Sequence, residues 1–199
     1  MSQATQKSAL IVVDVQPTFC EGGELGVEGG NACPQRVADF VRAHGDDYAY
    51  VATTQDWHIK PGAHFSEHPD FVDSWPPHGV AGSANAQLHP VIEALAIAHH
   101  FKKGQYAAAY SGFEGKDNAG VSLDEALTSA GIAHVDVVGI AESHCVKQTA
   151  LDAHGNGYDT RVFTDLTVPV TAEQGADARK EMAAAGIELE RSEGVGEGE

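Results

Sequence analysis

Cys145 lies about five residues beyond the apolar run 134–140, where the segment 143–154 begins and reads as a helix. A cysteine in the first turn of a helix meets free N–H groups and the positive end of the helix dipole, and both favour a thiolate. A free thiol has a pKa of about 8.5, so full ionisation at neutral pH needs that value lowered by about two, worth roughly 2.7 kcal/mol. A helix end plus one nearby lysine can supply this. The same N–H groups could receive an oxyanion, each such donor being worth roughly 3–4 kcal/mol. Cys145 is therefore a candidate nucleophile; the alternative is a buried structural cysteine, the commoner fate of this residue. Cys20 and Cys33 lie in or beside a glycine-rich loop, lack that setting and read as structural.

A second constellation is Asp56, His58, His64 and His78, a D-x-H-x5-H-x13-H pattern. Residues two apart on an extended strand end point the same way. His64 and His78 can return from a long loop. One carboxylate with two or three imidazoles suits a divalent ion such as Zn²⁺, Fe²⁺ or Mn²⁺. The spacing is loose and the chain has 11 histidines, so a polar loop with solvated histidines is the alternative. His44, His68, His89, His99, His100 and His154 read as surface or core residues.

Elements that could position these groups alternate along the chain. Residues 9–15 form a continuous apolar run ending near Asp14, which suits a strand buried on both faces. Residues 22–30 hold five glycines and form a loop. Pro34 opens a helix running to about His44, and residues 48–55 read as a strand. The segment 56–90 is rich in Pro, His, Gly and Ser, and a loop of that length is usually functional. Residues 97–102 read as a short strand. Ser122-x-x-Glu125 and Gly131 bracket a helix by a capping box and a glycine stop. A βαβ unit follows: strand 134–140, helix 143–154, strand 158–164. An alanine-rich helix over 172–185 and a short strand over 187–190 complete the pattern. The reading is a single α/β domain over 1–193, a three-layer α/β/α sandwich around a six-stranded, mostly parallel sheet. Residues 194–199, glycine and glutamate apart from Val195, read as a disordered acidic tail. Sheets of this kind bind ligands beyond the carboxyl ends of their strands, where Asp14, Asp56, Lys103 and Cys145 all fall.

Composition narrows the function classes. The 199 residues are 42% hydrophobic and 21% charged, ordinary for a globular protein, with a formal net charge of -17. Such acidity disfavours nucleic-acid and anionic-lipid partners. Three cysteines without paired spacing argue against a disulfide framework. The only early apolar run, Ala9 to Val13, is too short for a signal core, so a cytoplasmic location is expected. No P-loop and no G-x-S-x-G elbow is present.

Five segments, in order, carry a family resemblance. Asp14-Val15-Gln16-Pro17-Thr18-Phe19-Cys20-Glu21-Gly22-Gly23 resembles the first signature of nicotinamidases, within the isochorismatase-like hydrolases. Thr54-Gln55-Asp56-Trp57-His58 with His64-Phe65, and then Ser74-Trp75-Pro76-Pro77-His78, resemble the metal segments. Lys103-Gly104 resembles the lysine segment, and Asp136 to Val146 the nucleophile segment. The resemblance implies a catalytic triad of Asp14, Lys103 and Cys145. It also implies one divalent ion held by Asp56, His58 and His64 with His78 as fourth ligand, and no organic cofactor. It further implies a cis peptide between Ile140 and Ala141, an oxyanion hole from the Ala141 and Cys145 N–H groups, and a substrate site at Phe19, Trp75, Tyr110, Ile140 and His144. Pro17-Thr18 departs from the commoner Asn-Asp of the family.

The implied activity is hydrolysis of nicotinamide to nicotinate and ammonia through a Cys145 thioester, with pyrazinamide also accepted, as a step of NAD salvage. The implied partner is a small-molecule amide; a homo-oligomer stays open. Two alternatives stand beside it. Vinyl-ether hydrolases of the group lack the cysteine, and carbamoyl-amine hydrolases generally lack the Asp/His cluster. A non-enzymatic module of the same fold would carry an unreactive Cys145.

Overall fold

Six parallel strands form one sheet in the order β3-β2-β1-β4-β5-β6. They are β1 (Lys7–Val13), β2 (Tyr50–Asp56), β3 (His99–Lys103), β4 (Ile132–Ile140), β5 (Asp159–Val168) and β6 (Glu188–Glu190). The helices are α1 (Cys33–His44), α2 (Pro90–Glu93), α3 (Leu123–Ala130), α4 (Lys147–Gly155) and α5 (Ala172–Ala185). The structure of the protein is a computed structural model, which describes residues 6–194.

Side chains alternate across the sheet, so each strand feeds two cores. Leu10, Val12, Val138 and Ile140 pack with Val37, Phe40 and Ile92 on the side of α1 and α2. Ile11, Val13, Val135 and Val137 pack with Leu127, Ala150 and Met182 on the side of α3, α4 and α5. This is a three-layer sandwich, and every strand pair is parallel rather than mostly so. No helix among the described residues is long and apolar enough to cross a membrane.

The local signals explain most boundaries. Ser122 accepts from the Glu125 N–H while the Glu125 side chain accepts from Ser122, and Gly131 stops α3 in the left-handed region at φ 71°. The α2 turn was not expected; its signal is His89-Pro90, proline at the first helical position with His89 as cap. Strand β5 runs to Val168, four residues past the expected end, and its pairing with β4 shifts register between Val137 and Gly139. The acidic tail expected over 194–199 lies outside the described residues, except that Gly194 closes a short 3-10 turn.

At Gly139 the backbone is at φ +121°, and an added Cβ would stand 2.0 Å from the Val13 carbonyl oxygen. Only glycine lets β1 and β4 meet this closely, at the edge where Asp14 and Ala141 emerge.

Candidate active site

The chemistry-bearing residues lie at the carboxyl edge of the sheet. Asp14 follows β1, Asp56 ends β2, Lys103 ends β3 and Cys145 lies in a π-helical turn, Glu142–Val146, between β4 and α4. Asp14 adopts φ 46°, and its N–H donates to the carbonyl oxygen of Thr54 at 3.2 Å. Thr54 Oγ1 in turn donates to Asp14 Oδ1 at 2.6 Å. The Ile140–Ala141 peptide is cis.

Lys103 is the centre of the cluster. Its Nζ lies 2.9 Å from Asp14 Oδ2, 2.5 Å from Asp56 Oδ1 and 3.7 Å from Cys145 Sγ. All four side chains are nearly or fully buried. Burial alone would lower the Lys103 pKa, but Asp14 and Asp56 outweigh it and hold the ammonium well above its ordinary value. Burial raises the Asp14 pKa. Asp56 is pushed up by burial but pulled well below the carboxylate range by Lys103, His58 and His78. Asp14 Oδ2 meets Lys103 outside hydrogen-bond geometry, so this buried oxygen has no hydrogen-bond partner among the described residues.

Burial, opposed by Lys103 but reinforced by Asp14 and Asp56, holds the Cys145 pKa well above the ordinary value. Burial thus opposes the ionisation that a helix end and a lysine favour. Activation of Cys145 needs a base rather than a preformed charge.

The histidines converge beside this cluster. One ring nitrogen from each of His58, His64 and His78 lies within 4.8 Å of the other two. Each Nδ1 faces a backbone carbonyl: His58 to Gly104 at 2.6 Å, His78 to Pro76 at 2.8 Å and His64 to Asp73 at 3.3 Å. A hydrogen bond donated from Nδ1 fixes the tautomer and leaves the Nε2 lone pair free. His58 Nε2 is buried with no hydrogen-bond partner among the described residues. Asp56 Oδ2 lies 3.5 Å from His58 Nε2 and 3.7 Å from His78 Nε2. Burial, with His58 and His78 adding, lowers the His64 pKa and favours the neutral ring a metal ion needs. An orphaned buried nitrogen among three imidazoles and a carboxylate fits a divalent ion.

Both clusters open into one cavity of about 420 Å³, lined by Cys145, Asp56, His64, His78 and Ala141 together with Phe19, Trp75, Tyr110 and His144. Trp75 Nε1 donates to the Tyr110 hydroxyl at 3.0 Å, and its ring meets His144 edge to face at 5.6 Å. Ile140 does not line this cavity. Strand alternation turns its side chain into the α1 core, where it is fully buried, unlike the other expected substrate-site residues. Cys20 and Cys33 are buried free thiols whose pKa values burial raises to about 11 and about 12.

One residue escaped the sequence reading. Gln16 is fully buried and clamps Asp56 by accepting from its N–H at 2.9 Å and donating to its carbonyl at 3.0 Å. The available signal was an amide directly after an apolar strand, with no apolar reason to be there. Thr18, at the position that departs from the family, accepts from the Gly79 N–H and donates to Glu24.

The isochorismatase domain model matches residues 8–193. The chain is 51% identical to a nicotinamidase/pyrazinamidase of Mycobacterium tuberculosis over 181 residues, covering 91% of this chain and 97% of that protein. It is similar to the structure of PnC1 from L. infantum in complex with nicotinate, at 33% identity and a TM-score of 0.80, covering 97% of this chain and 96% of the other. It is also similar to the pyrazinamidase of Pyrococcus horikoshii in complex with zinc, at 29% identity and a TM-score of 0.79, covering 93% and 99%.

Proposed function

The chain belongs to the isochorismatase domain family, and from that premise we propose that it hydrolyses nicotinamide to nicotinate and ammonia, with pyrazinamide as a second substrate. The observation that carries the reading is the convergence of Lys103 on Cys145, Asp14 and Asp56 at the floor of an aromatic-lined cavity.

Asp14, whose Oδ2 is ion-paired with Lys103 at 2.9 Å, accepts the thiol proton of Cys145. Lys103, 3.7 Å from Sγ, stabilises the thiolate as it forms. Sulfur attacks the carboxamide carbon, and the Ala141 and Cys145 N–H groups receive the oxyanion. Asp14 returns its proton to the departing nitrogen, and ammonia leaves. Water then cleaves the thioester, releasing nicotinate and restoring the thiol. Phe19 and Trp75 flank the ring, while Tyr110 and His144 close the cavity around it.

Asp56, His58, His64 and His78 would hold one divalent ion, of zinc, iron or manganese type. Bound there, it would supply a Lewis-acidic anchor for the ring nitrogen, which holds the carboxamide in place.

The test is ammonia release from nicotinamide by the purified protein, before and after chelation and with each ion restored. Metal-dependent release that Cys145→Ala abolishes is the expected result. No release with any ion, or turnover by Cys145→Ala, would overturn the reading.

A further inference from the structure

Glu142 opens the turn that carries Cys145 and directly follows Ala141, a cavity residue. It is 1% exposed, and neither of its carboxylate oxygens has a hydrogen-bond partner among the described residues. The reaction described above gives it no task. A buried carboxylate without hydrogen bonds is costly, and an apolar side chain would serve stability better.

Two features of the α5 segment are built around it. Arg179 Nη1, on a side chain 40% exposed, lies 3.4 Å from Glu142 Oε1. Gly175 packs closely on the same region: a Cβ there would stand 2.8 Å from the Pro169 ring and 3.0 Å from Glu142 Oε2. A third contact lies next door: the Val170 N–H donates to Ser143 Oγ at 3.1 Å, and Val170 lines the cavity. The stretch from Val170 to Arg179 therefore grips the nucleophile turn from outside, at residues 142 and 143.

We propose that Glu142 and Arg179 are positioning residues: their ion pair ties α5 to the Glu142–Val146 turn and sets where Cys145 Sγ stands relative to Lys103 and Asp14. The proposal deepens the nucleophile reading of Cys145 and rests on it. A turn held at one face can shift by a fraction of an ångström when the tie is cut, and a displacement of about 1 Å at a reacting atom costs on the order of 100-fold in rate. Phe19 and Trp75, which flank the ring, stand on other segments, so substrate binding is expected to change less than the rate.

Steady-state kinetics on nicotinamide, with Glu142→Gln, Arg179→Met and the double variant in the metal-loaded enzyme, test this. Each single variant is expected to lose about tenfold or more in kcat with KM within twofold of the parent. The double variant is expected to be no worse than the weaker single, because both act through one pair. Arg179→Lys is expected to restore most of the kcat. Arg179 is at the surface, so its variants fold even where Glu142→Gln does not. Parental kcat in Arg179→Met, a change confined to KM, or losses that add in the double variant would each overturn the proposal. Cys145→Ala keeps the two readings apart. If it turns over, the nucleophile assignment fails; if it is inactive while both single variants keep parental kcat, only the positioning pair fails.

Discussion

His58 and Gly104 are fitted to one another: the Gly104 carbonyl accepts from His58 Nδ1 at 2.6 Å, and a Cβ on Gly104 would stand 2.5 Å from the same ring. Gly104 follows Lys103 and sits at φ +70°, a conformation open to glycine. One backbone position thus holds the histidine's tautomer and makes room for its ring.

Gly104→Ala is therefore expected to push the His58 ring away and weaken metal binding by about 10- to 100-fold, the usual cost of disturbing a partner of a metal ligand. Competition against a chromophoric chelator measures this directly. Parental affinity would show that the ring tolerates the displacement.

Gln16→Leu removes both bonds that hold the Asp56 backbone while leaving all four proposed ligands in place. It leaves the buried Asp56 N–H unpaired, at about 1–3 kcal/mol. A lower melting temperature together with weaker metal uptake is expected. A loss of stability with unchanged metal affinity would reduce Gln16 to a core amide.

Asp14→Asn keeps the shape of the side chain and removes the base. The expected loss in kcat is about 10²–10⁴-fold, the range for a positioned acid–base group, with KM little changed. Ammonia release under saturating nicotinamide reads it; a loss under tenfold would assign the proton to another acceptor.

Because burial and two carboxylates raise the Cys145 pKa, alkylation of Cys145 by iodoacetamide in chelated protein should be slow at pH 7. It should climb about tenfold per pH unit through pH 9. Peptide mass spectrometry separates Cys145 from Cys20 and Cys33. A plateau below pH 8 would mean that the helix end and Lys103 prevail after all.

Asp136 offers a test of stability away from the site. It is 1% exposed, takes two bonds of 2.8 Å from Arg161 and further ones from His134 and Tyr48. Burial would raise its pKa, but these partners outweigh it and lower it. A carboxyl whose folded pKa lies below its unfolded value stabilises fully above the latter, near 3.9, and stops doing so as pH falls through the folded one. Asp136→Asn should cost up to about 3 kcal/mol at pH 7, because half-buried Arg161 keeps only the more exposed Glu190 as an ionic partner. Urea unfolding should show the gap to the parent narrowing below about pH 4; a gap independent of pH would refute the charge argument.

The linear order of residues was enough to place the active edge of the sheet. Segments that read as strands end at or beside Asp14, Asp56 and Lys103, and the Gly131 and Ser122 signals bound α3 where they should, because strand patterning and helix capping depend on near neighbours in the chain. The family segments likewise named the residues that meet in the cavity. What depends on distant parts of the chain was decided only on folding. The upward pull on the Cys145 pKa comes from burial, Asp14 and Asp56 acting against Lys103, and an argument from a helix end and one lysine contains neither the burial nor the carboxylates. Ile140 faces the α1 core because strand alternation, not its place in a motif, sets its direction. Gln16 and Glu142 matter through partners 40 and 37 residues away, Asp56 and Arg179, a pairing that only the tertiary structure creates.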